Sequence, residues 1–400
     1  MEYHSNVSAS ELLEQILETA VRENASDVHI EPGRKDLCIR FRIQGLLRIR
    51  FHLPSGLSSS LAIRCKVMGR MDISEKRIPQ DGSCTVSLEG QDCELRMSTL
   101  PVLYGESIAV RILRSHVPFI EKQELGLTLR QRQIILRRLR QKSGLILITG
   151  PTGSGKSSTL YTFLRILRSE QSRIITLEDP VEYKIDGISQ VPVNEKGGFT
   201  FSSCLRAIVR QDPDIIMIGE IRDRETAELA VQASLTGHLV LSTLHTGTAA
   251  QTPLRLLDLG VPDYLLAPAL SLIISQRLVR VLCSRCRTSC LSPFWESEKK
   301  RLYPDGADRC LFQPGKYEQC ELCAHQGYTG RTGIFEVLEI TERIKTQLRA
   351  HASEQELLHA MKEQGEMPLY QTAVKKMEQG IISMEDALPL ISSSAEEAAL

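Results

Sequence analysis

Neither an excess of one charge nor a long apolar run is present in these 400 residues. Lysine plus arginine equals aspartate plus glutamate at 49 each, so no whole-chain field draws the protein to nucleic acid or an anionic bilayer, and only a local patch remains open. The longest purely apolar runs, residues 145–148 and 215–218, hold four residues, against the roughly 20 that span a bilayer. No transmembrane helix is expected. The opening stretch from Met1 to Ser10 has neither a basic start nor an apolar core. The expectation is a chain without a secretory signal that stays in the cytoplasm and meets a membrane only through a partner. Aromatics are sparse at 5% and unclustered, which with the neutral charge argues against direct nucleic-acid binding. No internal repeat is found. The remainder is ordinary globular composition, 42% apolar and 24% charged, in a chain long enough for two or three folding units.

The first unit, residues 1–114, reads as α+β. Leu12, Leu13, Ile16, Leu17 and Ala20 fall at helical spacing over 11–22, with Ser10 as the expected N-cap. Alternating stretches at 37–41, 46–51 and 84–96 read as strands. Residues 115–126 mix histidine, proline and charge without a period, which predicts a linker and a hinge. From 127 to 282 a basic helix (129–142) is followed by apolar strands alternating with helices, the pattern of a parallel sheet wrapped by helices. Residues 283–330 break it with paired cysteines and turn formers. Residues 331–400 read as a helical C-terminal region with a frayed Ser/Ala/Glu tail.

Directly after the apolar run at 145–149 comes Gly150-Pro151-Thr152-Gly153-Ser154-Gly155-Lys156-Ser157-Ser158. This fits the phosphate-binding P-loop pattern in the strand-then-helix context that gives the pattern meaning. The glycines let backbone N–H groups turn toward phosphates, and the helix starting near Lys156 adds its positive end. Lys156 is suited to the β- and γ-phosphates and Ser157 to Mg²⁺. The plain alternative, a glycine-rich turn that fits by accident, leaves both flanking elements unexplained. No Asn-Lys-x-Asp guanine-reading motif occurs, which favours ATP over GTP.

Three later strands deliver polar residues. The run 174–177 ends in Glu178 and Asp179, 215–218 ends in Gly219-Glu220, and 239–244 is bracketed by His238 and His245. Ligands of open parallel sheets sit outside the carboxyl ends of strands, so Glu178, Asp179 and Glu220 are candidates for water and metal, and a histidine there is suited to sensing phosphate charge. Taken alone, an Asp-Pro turn is as often punctuation, and a lone histidine is more often an ordinary turn or core residue. Eleven cysteines in a reducing compartment point to thiols or metal ligands rather than disulfides. Cys283-x-x-Cys286 and Cys320-x-x-Cys323 form two knuckles for one tetrahedral Zn²⁺. Cys290 and Cys310 read as bystanders.

The segments GPTGSGKSST, ITLEDPVEY, DPDIIMIGEIRDRETAELA and TGHLVLSTLHT together resemble the Walker A, Asp box, atypical Walker B and His box of the secretion ATPase superfamily. Ser26-Asp27-Val28-His29-Ile30-Glu31-Pro32, Pro79-Gln80-Asp81-Gly82 and Arg96-Met97-Ser98-Thr99-Leu100-Pro101 resemble its second N-terminal domain. The resemblance covers about residues 12–390. It implies an α/β fold with a RecA-like P-loop ATPase core behind a smaller N-terminal domain, a small zinc-binding insert and a helical C-terminal region. It also implies a homohexamer binding ATP and Mg²⁺ and driving an inner-membrane platform protein that inserts pilin-like subunits of a type IV pilus, type II secretion pseudopilus or competence pilus. Two departures stand out. Ser83 occupies the place where the family often carries arginine, and the extra N-terminal domain of many members is not found, as in the short competence branch. The tetracysteine insert resembles that of the assembly members, which retraction motors lack. In the family pattern Arg96 and Arg111 lie in Arg-x-Ser-x-x-Pro and Gly-Glu-x-x-x-Val-Arg, and the sequence nearby shows no charge partner for either, so both are candidates for stabilising phosphate charge between subunits. The competing readings are a nucleic-acid translocase on the same core, marked by DNA-stimulated hydrolysis, and a non-catalytic scaffold, marked by no hydrolysis.

Overall fold

The computed structural model describes residues 8–114, 125–194, 197–289, 310–315, 320–323 and 326–397. The chain divides into two compact units, Met1–Pro118 with Glu182–Lys184, and Phe119–Val181 with Ile185–Leu400.

In the first unit, helix α1 (Ala9–Arg22) buries Leu12, Leu13, Ile16, Leu17 and Ala20, the stripe expected from their spacing. Its cap is Ser8, not Ser10. The Ser8 hydroxyl accepts from the Glu11 N–H at 3.2 Å and the Glu11 carboxylate accepts from the Ser8 N–H at 2.9 Å. Only Ser8 has a glutamate three residues on to close this reciprocal pair, and Ser10 falls inside the helix. The strands are β1 (Ala25–Pro32), β2 (Asp36–Ile43), β3 (Leu46–Pro54), β4 (Gln80–Leu88), β5 (Gln91–Val102) and β6 (Gly105–Arg114). They form one antiparallel sheet in the order β3-β2-β1-β6-β5-β4, with helix α2 (Ser58–Gly69) after β3. Leu37, Ile39, Phe41 and Ile43 alternate inward along β2, the two-residue period of a half-buried strand. The stretch 84–96 is not one strand: it folds back at Glu89-Gly90, both at positive φ (50° and 72°), so that Leu88 pairs with Gln91. Two positive-φ residues match the right-handed twist of the hairpin arms.

The second unit is built on a seven-stranded sheet in the order β15-β12-β7-β11-β10-β8-β9. These strands are β7 (Gly144–Thr149), β8 (Ile174–Glu178), β9 (Ser189–Pro192), β10 (Ile215–Ile218), β11 (Leu239–Leu244), β12 (Leu270–Leu282) and β15 (Tyr328–Glu339). All ladders from β12 to β9 are parallel, and β15 runs antiparallel on β12. Strands β7, β8, β10 and β11 are buried at every residue, as a sheet covered by helices on both faces requires. The covering helices are α3 (Leu129–Leu139), α4 (Lys156–Leu167), α5 (Phe201–Val209), α6 (Arg224–Leu235), α7 (Gln251–Asp258) and α8 (Asp263–Ala269). A small ribbon pairs β13 (Thr288–Ser289) with β14 (Phe312–Gln313).

Helices α9 (Glu342–Arg349), α10 (Glu354–Glu363), α11 (Leu369–Glu378) and α12 (Met384–Glu397) end the chain. The region expected to be helical from 331 begins instead with strand, because Ile334, Phe335, Val337 and Leu338 are all buried as the outer partner of β12. The expected linker lies mostly outside the described residues. Its last two residues are anchored: the Leu125 carbonyl accepts from the Gly333 N–H at 3.2 Å, and the Gly126 carbonyl from Lys376 Nζ at 2.7 Å. Among the described residues no helix is long and apolar enough to cross a membrane.

Candidate nucleotide and metal sites

Parallel pairing brings the carboxyl ends of the central strands to one edge. Thr149 of β7 pairs with Leu244 of β11, and Ile218 of β10 with Leu177 of β8 and Ser242 of β11. The loop after Thr149 therefore starts beside the residues that follow Leu177, Ile218 and Leu244. That loop runs from Gly150 to Gly155, the N-cap of α4. A Cβ on Gly150 would stand 2.4 Å from the Gln276 carbonyl oxygen, and one on Gly155 would stand 2.9 Å from Gln276 Nε2. Only glycine lets the loop lie this close to β12.

Lys156 Nζ donates to the Gly150 and Pro151 carbonyls at 2.9 and 3.1 Å, and burial pulls its ammonium below the usual lysine range. The buried Ser154 hydroxyl has no hydrogen-bond partner among the described residues. Thr152 and Gly153 are exposed, and Ser157 and Ser158 lie half-buried in the first turn of α4. A cradle that a Cβ would fill, an ammonium resting on the loop's own carbonyls and an orphaned buried hydroxyl all fit a polyphosphate. Ser157, one residue beyond Lys156 in the helix's first turn, fits its magnesium ion.

The acidic stations differ from one another. Glu178, the last residue of β8, is 4% exposed and accepts from Thr176 Oγ1 at 2.5 Å, from Gln190 Nε2 at 3.1 Å and from the Tyr161 hydroxyl. It is a carboxylate held fast by its own surroundings. Asp179 next to it is exposed. Glu220 is half-buried, 2.5 Å from Arg222 and 3.5 Å from His245 Nε2. Burial works to raise its carboxyl, but the hydrogen bond and charge of Arg222, with the His245 ring beside it, outweigh burial and the net direction is down. Glu220 is thus an ionised, partly accessible carboxylate. His245 reaches it from the end of β11, and the loops are tied by Thr243 Oγ1 on the Gly219 carbonyl at 2.8 Å.

His238 is a correction. It precedes β11 at the edge where Leu239 pairs with Gly144, the start of β7, so the six residues of β11, about 20 Å of strand, separate it from the loop that Gly150 begins. It turns back onto the Ala233 carbonyl at 2.9 Å, the ordinary turn role. The apparent lack of partners for Arg96 and Arg111 is also corrected. Arg96 pairs with Glu94 at 3.0 Å, two residues away on the same strand face, and Arg111 with Asp27 at 3.1 Å on neighbouring β1. The two arginines are themselves cross-strand neighbours.

Cys283, Cys286, Cys320 and Cys323 are all buried, with their sulfurs within 4.8 Å of one another. The separations Cys283–Cys320 and Cys286–Cys323 are 3.7 and 3.6 Å. A tetrahedron with the usual Zn–S distance of roughly 2.3 Å has an edge of about 3.8 Å, so the cluster fits zinc without rearrangement. The Gly327 N–H points at Cys323 Sγ at 3.3 Å, the kind of outer contact that holds a thiolate ligand. Cys290 lies outside the described residues, and Cys310 is exposed and away from the cluster.

Gln276 and Arg277, which flank the P-loop from β12, were not among the expected site residues. Their mark in the sequence is the polar stretch Ser275-Gln276-Arg277 in the middle of the mostly apolar run from Leu270 to Leu282.

A glycine loop between a buried parallel strand and a helix start, with an ionised carboxylate at the same sheet edge, defines a P-loop nucleotide-binding α/β protein. The family described as type II/IV secretion system protein matches residues 2–389, and this chain belongs to it. It is 46% identical over 344 residues to type II secretion system protein E of Aeromonas hydrophila, covering 86% of this chain and 68% of that protein. It is 42% identical to the type IV pilus assembly ATPase PilB of Acinetobacter baylyi, covering 94% and 65% respectively. The solved pilus retraction motor PilT with bound ADP is 28% identical, with a TM-score of 0.65 over 94% of this chain and 96% of that one. The protein is accordingly a secretion-family ATPase.

Proposed function

We propose that this chain is the ATP-hydrolysing motor of a type II secretion, type IV pilus or competence pilus machine. In this reading it works as a homohexamer on an inner-membrane platform protein, at the cytoplasmic face of the membrane, and inserts pilin-like subunits. The observation that carries the reading is the half-buried Glu220 carboxylate, kept ionised by Arg222 and His245 at the sheet edge where Lys156 rests on the P-loop carbonyls. Lys156 exchanges those carbonyls for phosphate oxygens, the backbone from Thr152 to Ser158 cradles the phosphates, and Ser157 holds Mg²⁺, whose charge offsets that of the phosphates. Glu220 orients the attacking water or the metal's water shell and Asp179 assists from the end of β8, whereas Glu178, expected to manage water and metal beside Glu220, is taken up instead by Tyr161, Thr176 and Gln190 and braces that cluster. His245 reports the state of the site to Glu220. Arg96 and Arg111 act on the developing phosphate charge, and the four cysteines hold a structural Zn²⁺.

Hydrolysis and nucleotide affinity measured side by side test this. Lys156→Ala should lose hydrolysis with the fold retained, and the same substitution in cells should stop secretion or piliation. Glu220→Gln should bind ATP and not turn it over, while Arg96→Ala and Arg111→Ala lower the rate far more than the affinity. Wild-type turnover by Lys156→Ala would refute the assignment.

A further inference from the structure

The P-loop carries one lysine, yet a second cation stands beside it. Arg277 Nη1 donates to the Gln276 carbonyl at 3.1 Å, the same oxygen on which Gly150 packs, and Lys156 Nζ donates to the Gly150 carbonyl at 2.9 Å. The two cations therefore flank Gly150. Arg277 Nη2 donates to the Gly247 carbonyl at 2.8 Å, two residues beyond His245. A guanidinium has five N–H donors; the others find no partner here among the described residues. Neither Arg277 nor Lys156 has a carboxylate within 4.0 Å among the described residues. Each is half-buried; burial is the main influence against either charge, Glu220 partly offsets it for Lys156 and Glu336 for Arg277 from beyond contact distance, and the Arg277 charge adds to burial in disfavouring the Lys156 ammonium.

Half-buried like charges with no carboxylate in direct contact are costly to keep together. The cost is recovered when an anion enters between them. We infer that Arg277 is a second phosphate-facing cation of this site, placed to share with Lys156 the charge of a bound nucleotide's polyphosphate. The inference rests on the nucleotide-site reading above. It goes beyond it by assigning a role to a β12 residue outside the P-loop and outside the strand-end acids and histidine.

Displacement of a fluorescent ADP in the presence of Mg²⁺, with inorganic triphosphate and with AMP as competitors, tests it in the full chain. A charge-assisted hydrogen bond to phosphate sets the expected loss for Arg277→Gln at about 10–100-fold in triphosphate affinity, with AMP affinity changed by less than about twofold. Arg277→Lys, which keeps the charge and loses the planar fork, should show a smaller loss confined to triphosphate, and serves if the glutamine variant does not fold. Unchanged triphosphate affinity, or equal losses for triphosphate and AMP, overturns the inference by leaving Arg277 a loop brace. Lys156→Ala is measured in parallel. If it loses triphosphate while Arg277→Gln does not, only this inference fails; if neither variant weakens binding, the nucleotide-site reading itself fails.

Discussion

Two glycines of one loop give a sharp test of why the loop is built as it is. Gly150 has φ of 145° and Gly153 φ of 78°, so an alanine at either is strained by about 1–3 kcal/mol. The positions differ in space. Nothing lies within 4 Å of a Cβ added to Gly153, whereas a Cβ on Gly150 would meet the Gln276 carbonyl at 2.4 Å and Ser154 Oγ at 2.7 Å. Gln276 is 2% exposed and locked into the sheet, so the clash cannot be relieved cheaply, and overpacking of this kind costs a further ~1–3 kcal/mol. Gly150→Ala should therefore destabilise the nucleotide-free protein by about 2–6 kcal/mol in total, against about 1–3 kcal/mol for Gly153→Ala. To the extent that the loop yields instead of the strand, the loss moves from stability to function, because the Gly150 carbonyl that seats Lys156 is displaced. Thermal unfolding of both nucleotide-free variants, followed by ATP titration, reads the two parts separately. Equal destabilisation by the two substitutions, with equal ATP affinity, would refute the argument that close approach to β12 is what demands glycine at 150.

The four-thiolate cluster should hold one Zn²⁺ per chain; metal analysis of freshly purified protein checks this, and Cys320→Ser should lose the ion and expose the surrounding segment to protease. Zinc-free protein with the four sulfurs still buried would count against it. Lys376 is 8% exposed with two carbonyls and a hydroxyl as partners, and burial pulls its ammonium down to about 8. The unfolded chain then holds the proton more tightly, so this group's contribution to stability should rise as pH climbs from about 8 to about 10. Denaturant unfolding of wild type against Lys376→Met across that range should show a difference that grows with pH, and a constant difference would contradict it.

The central strands were legible because a covered parallel strand needs apolar residues at every position, so four such residues between polar neighbours announce both the strand and its end. Strand direction then carries more than it was asked to. His238 and His245 look alike as flanks of one strand, but only the residue after the strand lies at the ligand edge, and that rule alone separates them. Strand β12 was harder, since Ser275, Gln276 and Arg277 interrupt it with side chains whose partners, Gly247 for the serine and arginine and Thr159 for the glutamine, are distant in sequence. The two arginines of the first unit show the same division. Glu94 lies two residues from Arg96 and so on the same face of a strand, which spacing alone could have given. Asp27 lies 84 residues from Arg111 and is brought to it only by the β1–β6 register. The cap of α1 turned on a detail: serine is good at either position, and the glutamate three residues on selects Ser8.

Glu336 shows what such distant partners do for the site. It is 1% exposed on β15, and its carboxylate accepts from the Ala249 N–H at 2.7 Å and the Leu369 N–H at 3.0 Å. Ala249 follows the loop of His245 and Gly247, and Leu369 opens helix α11. Burial pushes the Glu336 carboxyl up, and the two backbone donors work against that push. A charged acceptor left without a donor in this interior costs several kcal/mol, so neither N–H can leave it without a replacement. The loop that reaches the Glu220 edge and the first turn of the C-terminal helices are thereby clamped to one buried oxygen pair. Thr248 adds a second tie, donating to Glu354 at 2.8 Å at the start of α10. The sequence reads the strand-end histidine and the C-terminal helices as separate regions. The carboxylates at 336 and 354 tie them by direct hydrogen bonds, alongside the apolar core that Ala249 and Ala250 share with Leu357 and Ala360.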